Sequence, residues 1–220
     1  MVQRGETMAF AAGALVFPGG RIDEDDRTIA RGDDEQAARV AAIREMIEET
    51  AVPAGITPLP SESVCREIQA ALLGGERFNG LLEQHGLALD FDALTPFARW
   101  VPQFHAVRRF DTWFFVARAD EARSPHPSGG ECADAFWITA ADALAREREG
   151  DARLIFPTRR NLERLALHDS FQSTQQDALA HQVRPITPWL ETIGGEEFVT
   201  IPEGIGYPVT HERLDGLRRG

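Results

Sequence analysis

Phe17-Pro18-Gly19-Gly20 and, after a spacer, Arg44-Glu45-Met46-Ile47-Glu48-Glu49-Thr50-Ala51-Val52 decide how this chain reads. No Pro or Gly interrupts the run from Asp33 to Val52, and its alanines favour a helix. At about 100° per residue, Val40, Ile43 and Ile47 fall on one face. Glu45, Glu48 and Glu49 fall within an arc of about 100° on the opposite face. Like charges spaced three and four residues apart repel by a few tenths of a kcal/mol per pair. A cation over the cluster removes that penalty.

Three carboxylates on a rigid helix, facing a Gly-rich turn, suit Mg²⁺, a hard cation that takes oxygen ligands and is completed by waters and substrate phosphates. Gly19 and Gly20 let backbone approach a metal or phosphate closely. Arg44 is placed to hold one of the carboxylates. R-E-x-x-E-E alone would also suit an ordinary acidic surface helix. The Pro-Gly-Gly turn ahead of it favours the metal reading.

With these residues in view, the stretch resembles the Nudix hydrolase signature, G-x5-E-x7-R-E-U-x-E-E-x-G-U, with U apolar. Arg44 to Glu49 match its R-E-U-x-E-E half, and Val52 fits the last position. Counted from Gly20, the first acidic position falls on Asp26, and the gap from there to Arg44 is ten residues longer than the pattern. Counted back from Arg44, the same position falls on Gln36. Ala51 stands where the pattern has Gly, the residue best suited to a left-handed helix end. Met8 to Val16 running into the FPGGRID segment, then Arg108-Arg109-Phe110-Asp111-Thr112, Pro157-Thr158 and Gly206-Tyr207-Pro208, resemble one branch of the superfamily. That branch holds peroxisomal coenzyme A diphosphatase-like proteins and bacterial relatives.

The 220 residues suffice for a single domain, 1–220, with a helical insertion over about 61–95 and a C-terminal extension over about 158–220. The formal charge is −12, and all 23 basic residues are arginines. Such a chain is a poor ligand for a nucleic-acid backbone or an anionic membrane. An anionic substrate needs bound cations and local arginines to approach it. Cys65 and Cys132 form no disulfide framework and suit a reducing cytoplasm. The N-terminus carries no apolar segment typical of a signal peptide, and no apolar run reaches transmembrane length.

Met1 to Gly5 reads as the tail of a strand and a turn, so the first strand is expected to be partly missing. An uncovered sheet edge would then favour a homodimer. Part of Phe10–Phe17 is expected to be strand, and Asp23 to Asp34 an acidic surface loop. Ser61 is expected to cap a helix reaching Leu73, and Phe78, Leu81 and Leu82 mark a second short one. This insertion either walls a pocket or acts as a structural cap. Strands are expected around Trp100, over Phe110–Ala117 and over Ala135–Ile138. Thr139 is expected to cap a helix, Pro157-Thr158 to start another, and Ser173 or Thr174 to cap a third. Phe198–Ile201 reads as part of a peripheral hairpin.

The resemblance implies an α/β fold, the Nudix α/β/α sandwich with a mixed central sheet. It implies hydrolysis of the diphosphate linkage in a nucleoside diphosphate joined to another group. Glu45, Glu48 and Glu49, with the Gly20 carbonyl, would hold Mg²⁺ or Mn²⁺, supported by Gly19 and Arg44. The base would be Glu45 or Glu131, which follows Gly129-Gly130 in a flexible loop. Arg108 and Arg109 are the leading phosphate-binding candidates, because guanidinium forks match phosphate oxygens. Arg159 and Arg160, near a helix start, either touch substrate or lie exposed; Trp189 and Tyr207 either stack on a base or pack. Coenzyme A or an acyl derivative is the first substrate to consider, with ADP-ribose and dinucleotides beside it. A non-catalytic ligand-sensing module or an inactive truncated enzyme is the alternative.

Overall fold

The computed structural model describes residues 1–5, 11–102 and 111–214. In chain order the elements are β1 (Val2–Arg4), β2 (Leu15–Val16), α1 (Glu24–Ile29), α2 (Asp34–Thr50), β3 (Ile56–Thr57), α3 (Glu62–Leu73), α4 (Phe78–Gln84) and β4 (Ala88–Leu89). After a short 3₁₀ turn come β5 (Leu94–Trp100), β6 (Thr112–Ala117), β7 (Cys132–Ala135), α5 (Ala140–Glu149), α6 (Phe156–Leu165) and α7 (Phe171–Ala180). The chain closes with β8 (Pro185–Ile186), β9 (Trp189–Ile193), β10 (Glu196–Thr200) and β11 (His211–Arg213). The architecture is mixed α/β, and the chain forms two compact units.

The first unit is Met1–Leu94 with Ala117–Trp137. In its three-stranded sheet β1 lies between β2 and β7, both antiparallel to it. Val2 therefore faces Val16 on one side and Ala135 on the other, and these residues pack with Cys132. Helix α2 buries Val40, Ile43 and Ile47, the apolar stripe expected from the 3.6-residue period. Helices α1 and α3 pack on it. Asp33 caps the start of α2, its carboxylate accepting the Gln36 N–H at 2.7 Å. Ser61 caps α3 in the same way, through the Val64 N–H.

Two expectations shift here. The Asp23–Asp34 segment lies largely on the surface as expected but is not all loop: Asp23 and Asp26 form a capping box at the start of α1, and Asp26 is fully buried. The strand placed at Ala135–Ile138 lies earlier, over Cys132–Ala135. The long stretch before Arg44 holds the end of α1, the α1–α2 turn and the first part of α2.

The second unit is Thr95–Val116 with Ile138–Gly220. Here β5 lies between β6 and a parallel β8, and β9, β10 and β11 form an antiparallel sheet. Its core gathers Phe97, Trp100, Ile186 and Ile201. Tyr207 packs there edge-on to Trp100, and its hydroxyl donates to Asn161 at 2.7 Å, so it has a structural role. Arg159 and Arg160 are neither exposed nor presented to a ligand. Arg159 pairs with Glu147 and Glu212, and Arg160 with Glu163 and Glu212. Helix α7 is capped by Ser170 rather than by Ser173 or Thr174.

Helix α2 ends on Ala51 at φ 55°, ψ 18°, a left-handed residue that closes on the Ile47 carbonyl. A Cβ there costs about 1–2 kcal/mol, while burying the methyl returns about 0.8 kcal/mol. Ala51→Gly should therefore change stability by less than about 1 kcal/mol. Ala51→Val, β-branched at positive φ, should cost more than about 2 kcal/mol in a denaturant melt.

Candidate active site

The site is built on one guanidinium. Arg44 is buried, and its five N–H groups are all engaged. Nε and Nη2 donate to the two oxygens of Asp26 at 3.0 and 2.9 Å. The second N–H of Nη2 reaches the Arg21 carbonyl at 2.9 Å. Nη1 donates to Glu45 Oε1 at 2.9 Å and to Glu48 Oε2 at 3.0 Å. Burial opposes the charge on Arg44, but the Asp26 hydrogen bonds and the carboxylates of Glu45, Asp26 and Asp23 outweigh it and hold its pKa above the ordinary value. A lysine, with three donors and no fork, cannot make this set.

Asp26 is the anchor of that arrangement. Besides Arg44 it accepts the Asp23 N–H at 3.0 Å, so its buried charge is paired and hydrogen-bonded. Counting forward from Gly20 locates it; counting back from Arg44 leads to Gln36, which is exposed at the start of α2.

The three helix carboxylates are each held differently. Glu45 lies against the Cα of Gly20: a Cβ at that position would fall 2.2 Å from its Oε1, so a side chain there would displace the Glu45 carboxylate. Burial is the largest influence on Glu45, followed by Arg44, which opposes it, and by the like charges of Glu48 and Glu49. Together they push its pKa up to about 7. Glu48 is partly exposed and bound to Arg44. Glu49 is buried, and its Oε2 accepts the Gly19 N–H at 2.9 Å. Burial raises its pKa, while the Gly19 N–H, a hydrogen bond with Cys132 and the charge of Arg4 hold it down. The Cys132 thiol is pushed up to about 12 by burial and by the neighbouring Glu49 charge.

The structure thus brings Gly19, Gly20, Arg44, Glu45, Glu48 and Glu49 together. Glu131 is exposed on the loop ahead of β7, with its carbonyl bound to the Gly5 N–H, and its charge is felt at Glu49. Arg108 and Arg109 lie outside the described residues. Sequence reasoning missed Cys132 as a partner of Glu49, although it adjoins Glu131.

Among the described residues, no three carboxylate, imidazole or thiol groups already converge as a coordination sphere. The chemistry of the donors nevertheless fits a hard divalent cation. They are carboxylate oxygens on one helix face, and burial, with the like charges of Glu48 and Glu49, pushes the pKa of Glu45 up to about 7.

The metal-free protein should show this in its stability. An acid whose pKa rises from 4.5 unfolded to about 7 folded stabilises the fold fully below about 4.5 and loses that contribution as pH rises through about 7. The melting temperature of the metal-free protein, minus that of Glu45→Gln, should therefore fall between about pH 5 and about pH 8. Thermal melts in chelator check it.

No protein-family model matches the chain. A curated relative, "Putative nudix hydrolase 7" of Caenorhabditis elegans, is 24% identical over 201 residues, which are 91% of this chain. The chain spans 65% of that relative's length. The crystal structure of a NUDIX hydrolase from Alicyclobacillus acidocaldarius matches the fold with a TM-score of 0.68 at 28% identity, over 80% of this chain and 86% of the other. By sequence and by fold, this chain is similar to Nudix hydrolases.

Proposed function

We propose that the protein hydrolyses the diphosphate linkage of a nucleoside diphosphate-linked compound with the help of Mg²⁺ or Mn²⁺. The observation that carries this reading is the five-donor fork of Arg44, which gathers Glu45 and Glu48 beside the Gly19-Gly20 turn while the Gly19 N–H holds Glu49. A protein that only bound a ligand would have little use for three carboxylates crowded against their own repulsion.

In this reading Glu45, Glu48 and Glu49, with the Gly20 carbonyl, hold the cation. A bound divalent ion would neutralise phosphate charge and lower the pKa of an attacking water. Arg44 fixes the two carboxylates it touches, and Gly20 keeps the approach to Glu45 open. The water's proton passes to a carboxylate. Glu45 is one candidate for it, and Glu131, on a loop whose charge is felt at Glu49, is the alternative. Arg108 and Arg109 are assigned to the substrate phosphates on sequence grounds. Positioning and charge stabilisation supply most of the rate.

Coenzyme A or an acyl-coenzyme A is the first substrate to test, with ADP-ribose and dinucleotides as the other members of the class. Among the described residues no helix is long and apolar enough to cross a membrane.

The test is turnover with Mg²⁺ or Mn²⁺ across coenzyme A, ADP-ribose, NADH and other dinucleotides, with Glu48→Gln in parallel. Wild-type protein should hydrolyse at least one of them, and Glu48→Gln should lose about 100-fold or more in kcat. Metal-loaded wild-type protein that binds a nucleotide without turning it over would make this a ligand-sensing module.

A further inference from the structure

The insertion helix α3 reaches the end of the carboxylate helix through one side chain. Gln69 is buried, and its amide nitrogen donates twice: to the Glu48 carbonyl at 3.1 Å and to the His126 carbonyl at 2.8 Å. Glu48 O is one of the last four carbonyls of α2, which have no partner inside the helix. Another, Thr50 O, accepts the backbone N–H of His126 at 2.7 Å. The end of α2 is therefore closed from outside, by Gln69 and by the 118–131 loop together.

That loop carries Glu131. Helix α3 and the segment just before it grip the loop at further points: His126 Nε2 lies 3.2 Å from Glu62 Oε1, and Arg123 donates to the Pro60 carbonyl at 2.7 Å. Past His126 the loop turns through Gly129, whose N–H donates to the Cys132 carbonyl, and Cys132 hydrogen-bonds Glu49. A chain of bonds thus runs from α3, through the loop, back to the carboxylate face of α2. Gln69 joins α3, α2 and the loop through one nitrogen, and both of its amide N–H groups are used in doing so.

We propose that Gln69 is a positioning residue that fixes the Glu131 loop against the carboxylate helix. This gives the insertion a part in turnover, and it rests on the hydrolase reading above. Gln69 touches no reacting group; it sets where Glu131 stands relative to Glu49. Displacement of a catalytic group by about 1 Å costs up to about 100-fold in rate, so loss of the clamp should appear in kcat rather than in substrate binding.

The test compares Gln69→Met, which keeps length and helix propensity, with Gln69→Glu, which sets a carboxylate against two carbonyls. Exposed Glu67→Gln on the same helix is the control. Kinetics with Mn²⁺ are measured alone and combined with Glu131→Gln, and hydrogen exchange is followed at the His126 and Gly129 amides. Expected are a fall in kcat of about ten-fold or more in both Gln69 variants, with KM changed by less than about three-fold. The double variant with Glu131→Gln should lose much less than the product of the single losses. The loop amides should exchange faster while the β1 amides stay protected, which excludes general unfolding. Unchanged kcat, unchanged loop exchange, or losses that multiply would overturn the proposal. Should the wild type fail to hydrolyse any compound, the hydrolase reading fails on its own, and loop exchange alone decides the clamp: faster exchange upholds it, and unaltered exchange overturns it.

Discussion

The site depends on a buried ion pair, Arg44 with Asp26. Two charges out of water are costly unless geometry and hydrogen bonding are nearly complete. Here the fork is bidentate on Asp26, and the remaining donors of Arg44 reach one carbonyl and two further carboxylates. The pair thereby turns a repulsive row of glutamates into an ordered one. It also fixes the Phe17–Asp26 approach to α2, because Arg21 and Asp26 lie on that segment and Gly19 is bonded to Glu49. Removing either partner would leave a charge stranded in the interior, a loss of about 3–5 kcal/mol.

Around that pair the rest of the first unit is a set of constraints on the end of one helix. Glu45 places its carboxylate where a side chain on Gly20 would reach. Ala51 accepts a left-handed backbone so that the chain can leave the helix, and Gln69 and His126 bond the Glu48 and Thr50 carbonyls at its end. Asp26, the acidic residue reached by counting forward from Gly20, pairs with Arg44, and the stretch between them holds the end of α1, a turn and the first part of α2.

What the sequence revealed was local. The stripe of Val40, Ile43 and Ile47 opposite Glu45, Glu48 and Glu49 is a matter of helical period, and the caps at Ser61 and Thr139 are matters of nearest neighbours. What it concealed was tertiary. The Asp23–Asp34 segment is largely exposed, as its acidic composition suggests, but the spacing of Asp23 and Asp26 was already that of a capping box, and the burial of Asp26 was not legible. Arg159 and Arg160 looked available at a helix start, but Glu147 and Glu212, distant in sequence, take Arg159 out of play, and Glu163 and Glu212 hold Arg160. Nothing in the pattern around Gln69 distinguishes it from a surface residue; its meaning lies in two carbonyls 21 and 57 positions away. Arg108 and Arg109 rest on sequence alone.

The most direct measurement of the central claim is Mn²⁺ affinity, by electron paramagnetic resonance titration, of wild type against Asp26→Asn. Asparagine keeps the shape of Asp26 but not its charge, so Arg44 is left to draw on Glu45 and Glu48 instead. Loss of such an outer partner weakens a metal site by about 10- to 100-fold, and a drop of that size is the expected result. Equal affinity in the two proteins, or no Mn²⁺ binding by the wild type, would contradict the view that Arg44 and Asp26 hold these carboxylates for a metal.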